Sequence, residues 1–167
     1  LAVIAVIAIS ACIIVNKIQK ENKKYEIAQI NEYKYFVVKE NEKYGVINTN
    51  GDIIIEAKYD DIKIPNPEKA VFICYENKKT KVLNEKGEEI FTQYEKIEPM
   101  QNQDKSGNIW YETNVLKVQK DGKYGLINFD GKEVIPTEYD EITVIPQIEN
   151  SFKVKKDSKY GIVDSDG

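Results

Sequence analysis

Three pairs of adjacent carboxylates, Asp60-Asp61, Glu88-Glu89 and Asp140-Glu141, are the side chains in this sequence best suited to general acid–base work. Glycoside hydrolysis needs two such groups facing each other across a cleft. Neighbours on a strand point to opposite faces, so none of these pairs is a dyad by itself. They read as charges at strand ends. A second oxygen-rich pattern, Asn48-Thr49-Asn50-Gly51-Asp52 and Asp164-Ser165-Asp166-Gly167, has the spacing that opens a calcium loop. Calcium takes about six to eight oxygens, yet an apolar strand resumes straight after the glycine, and Asn84-Glu85-Lys86-Gly87 places a lysine in the loop. These are hairpin turns, and no metal or cofactor is expected.

Composition narrows the chemistry further. There is no histidine, and all 24 basic residues are lysine. The usual general base and the usual phosphate fork are therefore both missing. With a net charge of −4 and no basic stripe, a nucleic-acid groove is not expected. Two cysteines make no disulfide framework, and Cys74, between Ile73 and Tyr75, reads as a small buried hydrophobe. Trp110 and Tyr111 are the aromatics of a long polar connection, and rigid aromatics in such places anchor partners. They are the candidate binding residues. The alternative for them is to fold back over a sheet edge.

The first fifteen residues are apolar apart from Ser10, and Lys17, Lys20, Lys23 and Lys24 follow. As a helix this run covers about 22 Å of a hydrocarbon layer roughly 30 Å thick. Ile18 and a snorkelling Lys17 extend it, so residues 1–18 are expected to engage a membrane as an anchor or uncleaved signal. Ile9-Ser10-Ala11-Cys12 also has the look of a lipoprotein cleavage site, with Cys12 as the lipidated residue. The repeats that follow are expected outside the cytoplasm.

The elements that hold all these residues repeat. Lys43-Tyr44-Gly45-Val46-Ile47-Asn48 returns as Lys123-Tyr124-Gly125-Leu126-Ile127-Asn128 and as Lys159-Tyr160-Gly161-Ile162-Val163-Asp164. Lys79-Thr80-Lys81-Val82-Leu83-Asn84 is a degenerate copy. Periods of this size mean a stack of like units. Before each copy runs an alternating strand carrying Phe36/Val38, Phe72/Cys74, Leu116/Val118 or Phe152/Val154. After it comes a glycine turn, then a short third strand at Ile53-Ile54-Ile55, Ile90-Phe91 and Val134-Ile135. Tyr59-Asp60-Asp61-Ile62, Tyr94-Glu95-Lys96-Ile97 and Tyr139-Asp140-Glu141-Ile142 are expected to close each unit, with Tyr25-Glu26-Ile27 as a worn predecessor.

At these columns the chain resembles the WG, or KWG, repeat family, with Tyr-Gly in place of Trp-Gly at 44, 124 and 160. Lys123 to Ile142, including Val134-Ile135-Pro136, carries the resemblance best, and it extends over about residues 34–167. It implies tandem β-hairpin repeats, common in exported or envelope proteins of bacteria, with no shared catalytic activity.

The expected fold is all-β: three-stranded antiparallel meanders in an open array, preceded by one N-terminal apolar helix. The expected divisions are an anchor at 1–20, a linker at 21–33, and repeats at about 34–66, 67–100, 113–148 and 149–167, with 101–112 as an insertion. The last unit lacks a third strand and is expected to be the least stable. The expected function is non-catalytic binding of a protein or cell-wall glycan beside a membrane. The alternatives are a structural spacer or an enzyme acting on wall polymers.

Overall fold

The computed structural model describes residues 33–167. The apolar segment expected as a helix, Cys12 and Tyr25-Glu26-Ile27 lie outside the described residues. Within them the chain folds as four antiparallel sheets and no helix. β1 (Tyr35–Glu40), β2 (Lys43–Asn48) and β3 (Ile53–Tyr59) form the first sheet, and β4 (Asp61–Lys63), β5 (Phe72–Glu76) and β6 (Lys79–Leu83) the second. The third holds β7 (Lys96–Gln103), β8 (Ile109–Lys120), β9 (Lys123–Ile127) and β10 (Glu133–Tyr139). The fourth holds β11 (Glu141–Val144), β12 (Ser151–Lys156) and β13 (Lys159–Asp164).

Two kinds of turn set the registers. Asn41-Glu42, Asn77-Lys78, Asp121-Gly122 and Asp157-Ser158 hold both central residues at positive φ, the two-residue hairpin whose twist matches the flanking strands. The second kind is closed by an Asn or Asp side chain. Asn48 Oδ1 accepts from the amides of Asn50 and Asp52, Asn84 Oδ1 from Lys86 and Glu88, and Asn128 Oδ1 from Asp130 and Lys132. Gly51, Gly87, Gly131 and Gly167 take the positive φ in these loops, which costs a glycine little.

The Tyr-Asp-x-Ile column does not close a unit; it opens the next sheet. Tyr59 still pairs with Tyr44, whereas Asp61 pairs with Tyr75 and Ile62 with Cys74. The chain thus changes sheet at the single residue Asp60. The same happens at Asp140, between Tyr139 on Tyr124 and Glu141 on Lys155. Ile97 and Ile142 likewise sit opposite Val118 and Val154. A complete unit is therefore four-stranded, as in the third sheet.

Residues 101–112, expected as an insertion, are the far ends of β7 and β8. Gln101, Asn102 and Gln103 pair with Tyr111, Trp110 and Ile109 around an Asp104–Gly107 turn of the second kind. Pro99 and Pro136 lie inside β7 and β10, both edge strands, where a missing N–H interrupts no central ladder.

The sheets stack face to face around three apolar layers. Val46, Ile55 and Tyr59 of the first meet Ile62, Phe72 and Cys74 of the second, where the rings of Tyr35 and Phe72 cross edge to face at 5.1 Å. Ile73 and Val82 meet Leu116, Val118 and Ile127. Leu126 and Ile135 meet Ile142, Phe152 and Val154. Alternation along each strand feeds one layer from each face, so every interior sheet is buried twice.

Candidate functional site

The acid pairs marked in the sequence are taken up one residue at a time. Asp60 Oδ1 accepts from Lys43 Nζ at 2.6 Å, and its Oδ2 accepts from the Asn77 amide at 2.8 Å. Asp140 does the same with Lys123 Nζ and the Asp157 amide. The lysine and amide bonds hold both carboxyls below the ordinary carboxylate value, the lysine bond first. Each corner acid thus ties the lysine of one sheet to the hairpin turn of the next. Glu95 makes the second half of this link, accepting from the Asp121 amide. Asp61 pairs with Lys63 at 2.8 Å, and Glu88 accepts from Asn84 Nδ2. The described residues contain no group of three metal-ligating side chains.

Cys74 is fully buried, and burial pushes its thiol up to about 12. It is a packing residue, as its neighbours suggested.

Trp110 and Tyr111 come together on β8, half-buried, on the wall of an open cleft of about 920 Å³. Tyr33 and Val37, beside and on β1, and Pro65 and Pro67 also line it. The Pro65–Pro67 segment is held from both directions: Asn66 Nδ2 donates to the Thr113 carbonyl at 2.8 Å, and the Lys34 amide donates to the Pro67 carbonyl at 2.9 Å. Three sheets therefore contribute to one concavity, because the long β7–β8 hairpin reaches the second sheet and the start of the first. The Trp110 indole N–H is buried and has no acceptor among the described residues. An open cleft that mixes aromatic and apolar walls with polar groups such as Lys63, Asn66 and Glu68 can take a ligand or a peptide strand.

Sequence reasoning missed the polar node behind this hairpin. Asn102 and Glu112 are both 2 % exposed. Asn102 Nδ2 donates to Glu112 Oε1 at 2.9 Å and to the Ile148 carbonyl at 3.0 Å. Glu112 Oε2 accepts from the Asn150 amide at 2.9 Å, and Asn102 Oδ1 from the Gln147 amide at 3.1 Å. The node fixes the β11–β12 connection, where Gln147 and Asn150 sit at positive φ. No local pattern announced it. The corner links had a signal: Lys43 to Asp60, Asp60 to Asn77, Lys123 to Asp140 and Asp140 to Asp157 are all 17 residues apart.

Residues 44–78 and 124–160 match the family model described as WG containing repeat. Each match begins on the inner strand of one sheet and ends in or just past the hairpin turn of the next, so it contains the whole corner. No curated protein and no solved structure matches the chain. Both matches begin at the Tyr-Gly pairs that resemble the Trp-Gly of this family.

Proposed function

For a chain carrying these two WG repeat stretches, we propose a non-catalytic interaction module, tethered by residues 1–20 at a bacterial cell envelope. Its stacked sheets form an open array that binds a protein or a cell-wall glycan. We assign the tether to residues 1–20; among the described residues no helix is long and apolar enough to cross a membrane. Attachment through lipidated Cys12 is the other form of the same tether. The observation behind the binding role is the cleft beside Trp110 and Tyr111. Rigid aromatics at a concave surface are what recognition uses elsewhere. Asp60, Asp140 and Glu88 are engaged in corners and turns, which supports a role without catalysis.

Trp110 is the only tryptophan in the chain, so its emission reports the cleft directly. The full chain in detergent micelles is titrated with solubilised wall fragments and, separately, immobilised and offered membrane extract. Expected is a saturable change in Trp110 emission with one class of partner, and loss of retention in the Trp110→Ala, Tyr111→Ala double variant. Equal retention by the folded double variant overturns the site. No retention of either partner favours a spacer.

A further inference from the structure

β8 is 12 residues long, and its two neighbours cover different parts of it. β9 pairs with residues 116–120 only, whereas the far end, residues 109–111, pairs with β7 alone. The other edge of that far end carries no strand among the described residues. Two bonds show which way its backbone groups point. The Asp104 amide donates to the Asn108 carbonyl at 2.9 Å, which makes these two a hydrogen-bonded pair of the hairpin. Bonded and non-bonded pairs alternate along an antiparallel ladder, so Asn102 and Trp110 form the next bonded pair. Ile109 and Tyr111 therefore turn their amides and carbonyls away from β7. On that side the Thr113 carbonyl accepts from Asn66 Nδ2 at 2.8 Å, and Ile109, Tyr111 and Thr113 all line the aromatic cleft.

The segment across the cleft is not built to complete this ladder. Pro65 and Pro67 have no amide hydrogen, and the Pro67 carbonyl already accepts from the Lys34 amide. The segment reaches β8 through the Asn66 side chain, where a strand would offer an alternating set of backbone groups. Apolar surface lies open beside the edge: Ile109 is 60 % exposed and Tyr33 44 %. Charge there is unbalanced. Lys63 pairs with Asp61 and Lys69 with Asp130, which leaves the Glu68 carboxylate on the cleft wall without a cation among the described residues.

We infer that the Trp110 cleft binds an extended peptide segment of a protein partner, added as a strand to the free edge of β8. The inference rests on the cleft reading and narrows it from protein or glycan to peptide. Guest backbone groups meet those of Ile109 and Tyr111, which are two residues and about 7 Å apart, the spacing that every β-strand repeats. A glycan offers hydroxyls instead of amides and carbonyls alternating along one edge. Apolar guest side chains suit Tyr33, Val37 and Trp110, and a guest lysine or arginine answers Glu68.

A display library of random peptides, about nine residues long to cover this edge, is panned on the full chain in detergent micelles. The strongest binder is synthesised with a label. Expected are saturable binding by anisotropy, a change in Trp110 emission, and a basic residue in the guest. Glu68→Gln should weaken that binding about twofold to fivefold. Methylating guest amides one at a time should weaken it about threefold to tenfold at alternate positions, and little at those between. Ile109→Pro removes an amide hydrogen that faces the cleft and no bond to β7, so it is expected to fold and to weaken binding similarly. Ile109→Ala keeps the amide and should cost less. Amide exchange at Asn102 and Asn150 checks that the hairpin and its buried node stay intact; if the proline variant unfolds, the methylation scan on the parent chain decides. A scan without alternation, or a folded Ile109→Pro that binds like the parent, overturns the inference. So does the recovery of no peptide that moves Trp110 emission. If wall fragments still move it, the cleft reading stands without this one; if nothing does, both fall.

Discussion

Gly125 lies so close under the Ile135 carbonyl that a methyl group there would stand 2.6 Å from the oxygen. Gly45 stands in the same relation to Ile55, and among the described residues Gly161 has no such neighbour. Alanine at 125 or 45 must push a backbone strand outward, at an expected cost of about 1–3 kcal/mol. Gly161→Ala is expected to be near neutral. Urea unfolding followed by amide exchange, sheet by sheet, checks the contrast; equal effects at all three positions would refute the crossing as the reason for the glycine.

The inner strands, the turn glycines and the lysine and tyrosine columns were all legible because each rests on local chemistry: alternation, positive φ, Asx loops. The phase of the unit was not. A strand that bends at one residue, Asp60 or Asp140, looks continuous in sequence, so Tyr-Asp-x-Ile reads as an ending although its isoleucine belongs to the next sheet. Residues 101–112 hid their pairing for another reason. Their strands are polar because much of the hairpin is exposed, although Asp104 and Gly107 have the same spacing as Asn48 and Gly51. Trp110 and Tyr111 were recognisable as unusual aromatics, but the cleft that they line is built by three sheets and has no local signature.

The corner links carry a pH dependence. The bonds to Lys43 and Asn77, and to Lys123 and Asp157, lower the folded pKa of Asp60 and Asp140 from 3.8. The stability that they add is present above the unfolded value and is lost as pH falls through the lower folded one. Asp140→Asn is expected to be less stable than the parent at pH 7. The difference should shrink as pH drops below the ordinary carboxylate range and close below the folded pKa. Denaturant titrations at several pH values check it; a gap independent of pH would contradict the ionic origin.

Removing Glu112 leaves the Asn150 amide and one Asn102 donor bond without their acceptor in a buried place. Glu112→Ala is expected to cost about 1–3 kcal/mol. Exchange should accelerate at the Gln147 and Asn150 amides, while the first sheet, which does not touch the node, stays protected. Loss of protection throughout the chain would show the node to be a general core element.

Cys74 should be inert to thiol reagents in the folded chain, since its thiol is buried and raised to about 12. In a Cys12→Ser background, labelling at pH 8 is expected only as fast as the second sheet opens, and at the full rate in urea. Rapid labelling of the folded protein would contradict the burial.

Lys81 faces Cys74 at the place where glycine faces valine in the other three sheets. There the third strand shrinks to a bridge between Leu83 and Glu89 and one bond from the Ile90 amide to the Val82 carbonyl. Gly87 and Tyr94 are seven residues apart, against eight for Gly51 and Tyr59. With no strand overhead nothing penalises the lysine side chain, and with the lysine in place no strand can return. The second sheet therefore sits behind a ratchet: restoring its fourth strand is expected to take a glycine at 81 and an inserted residue together.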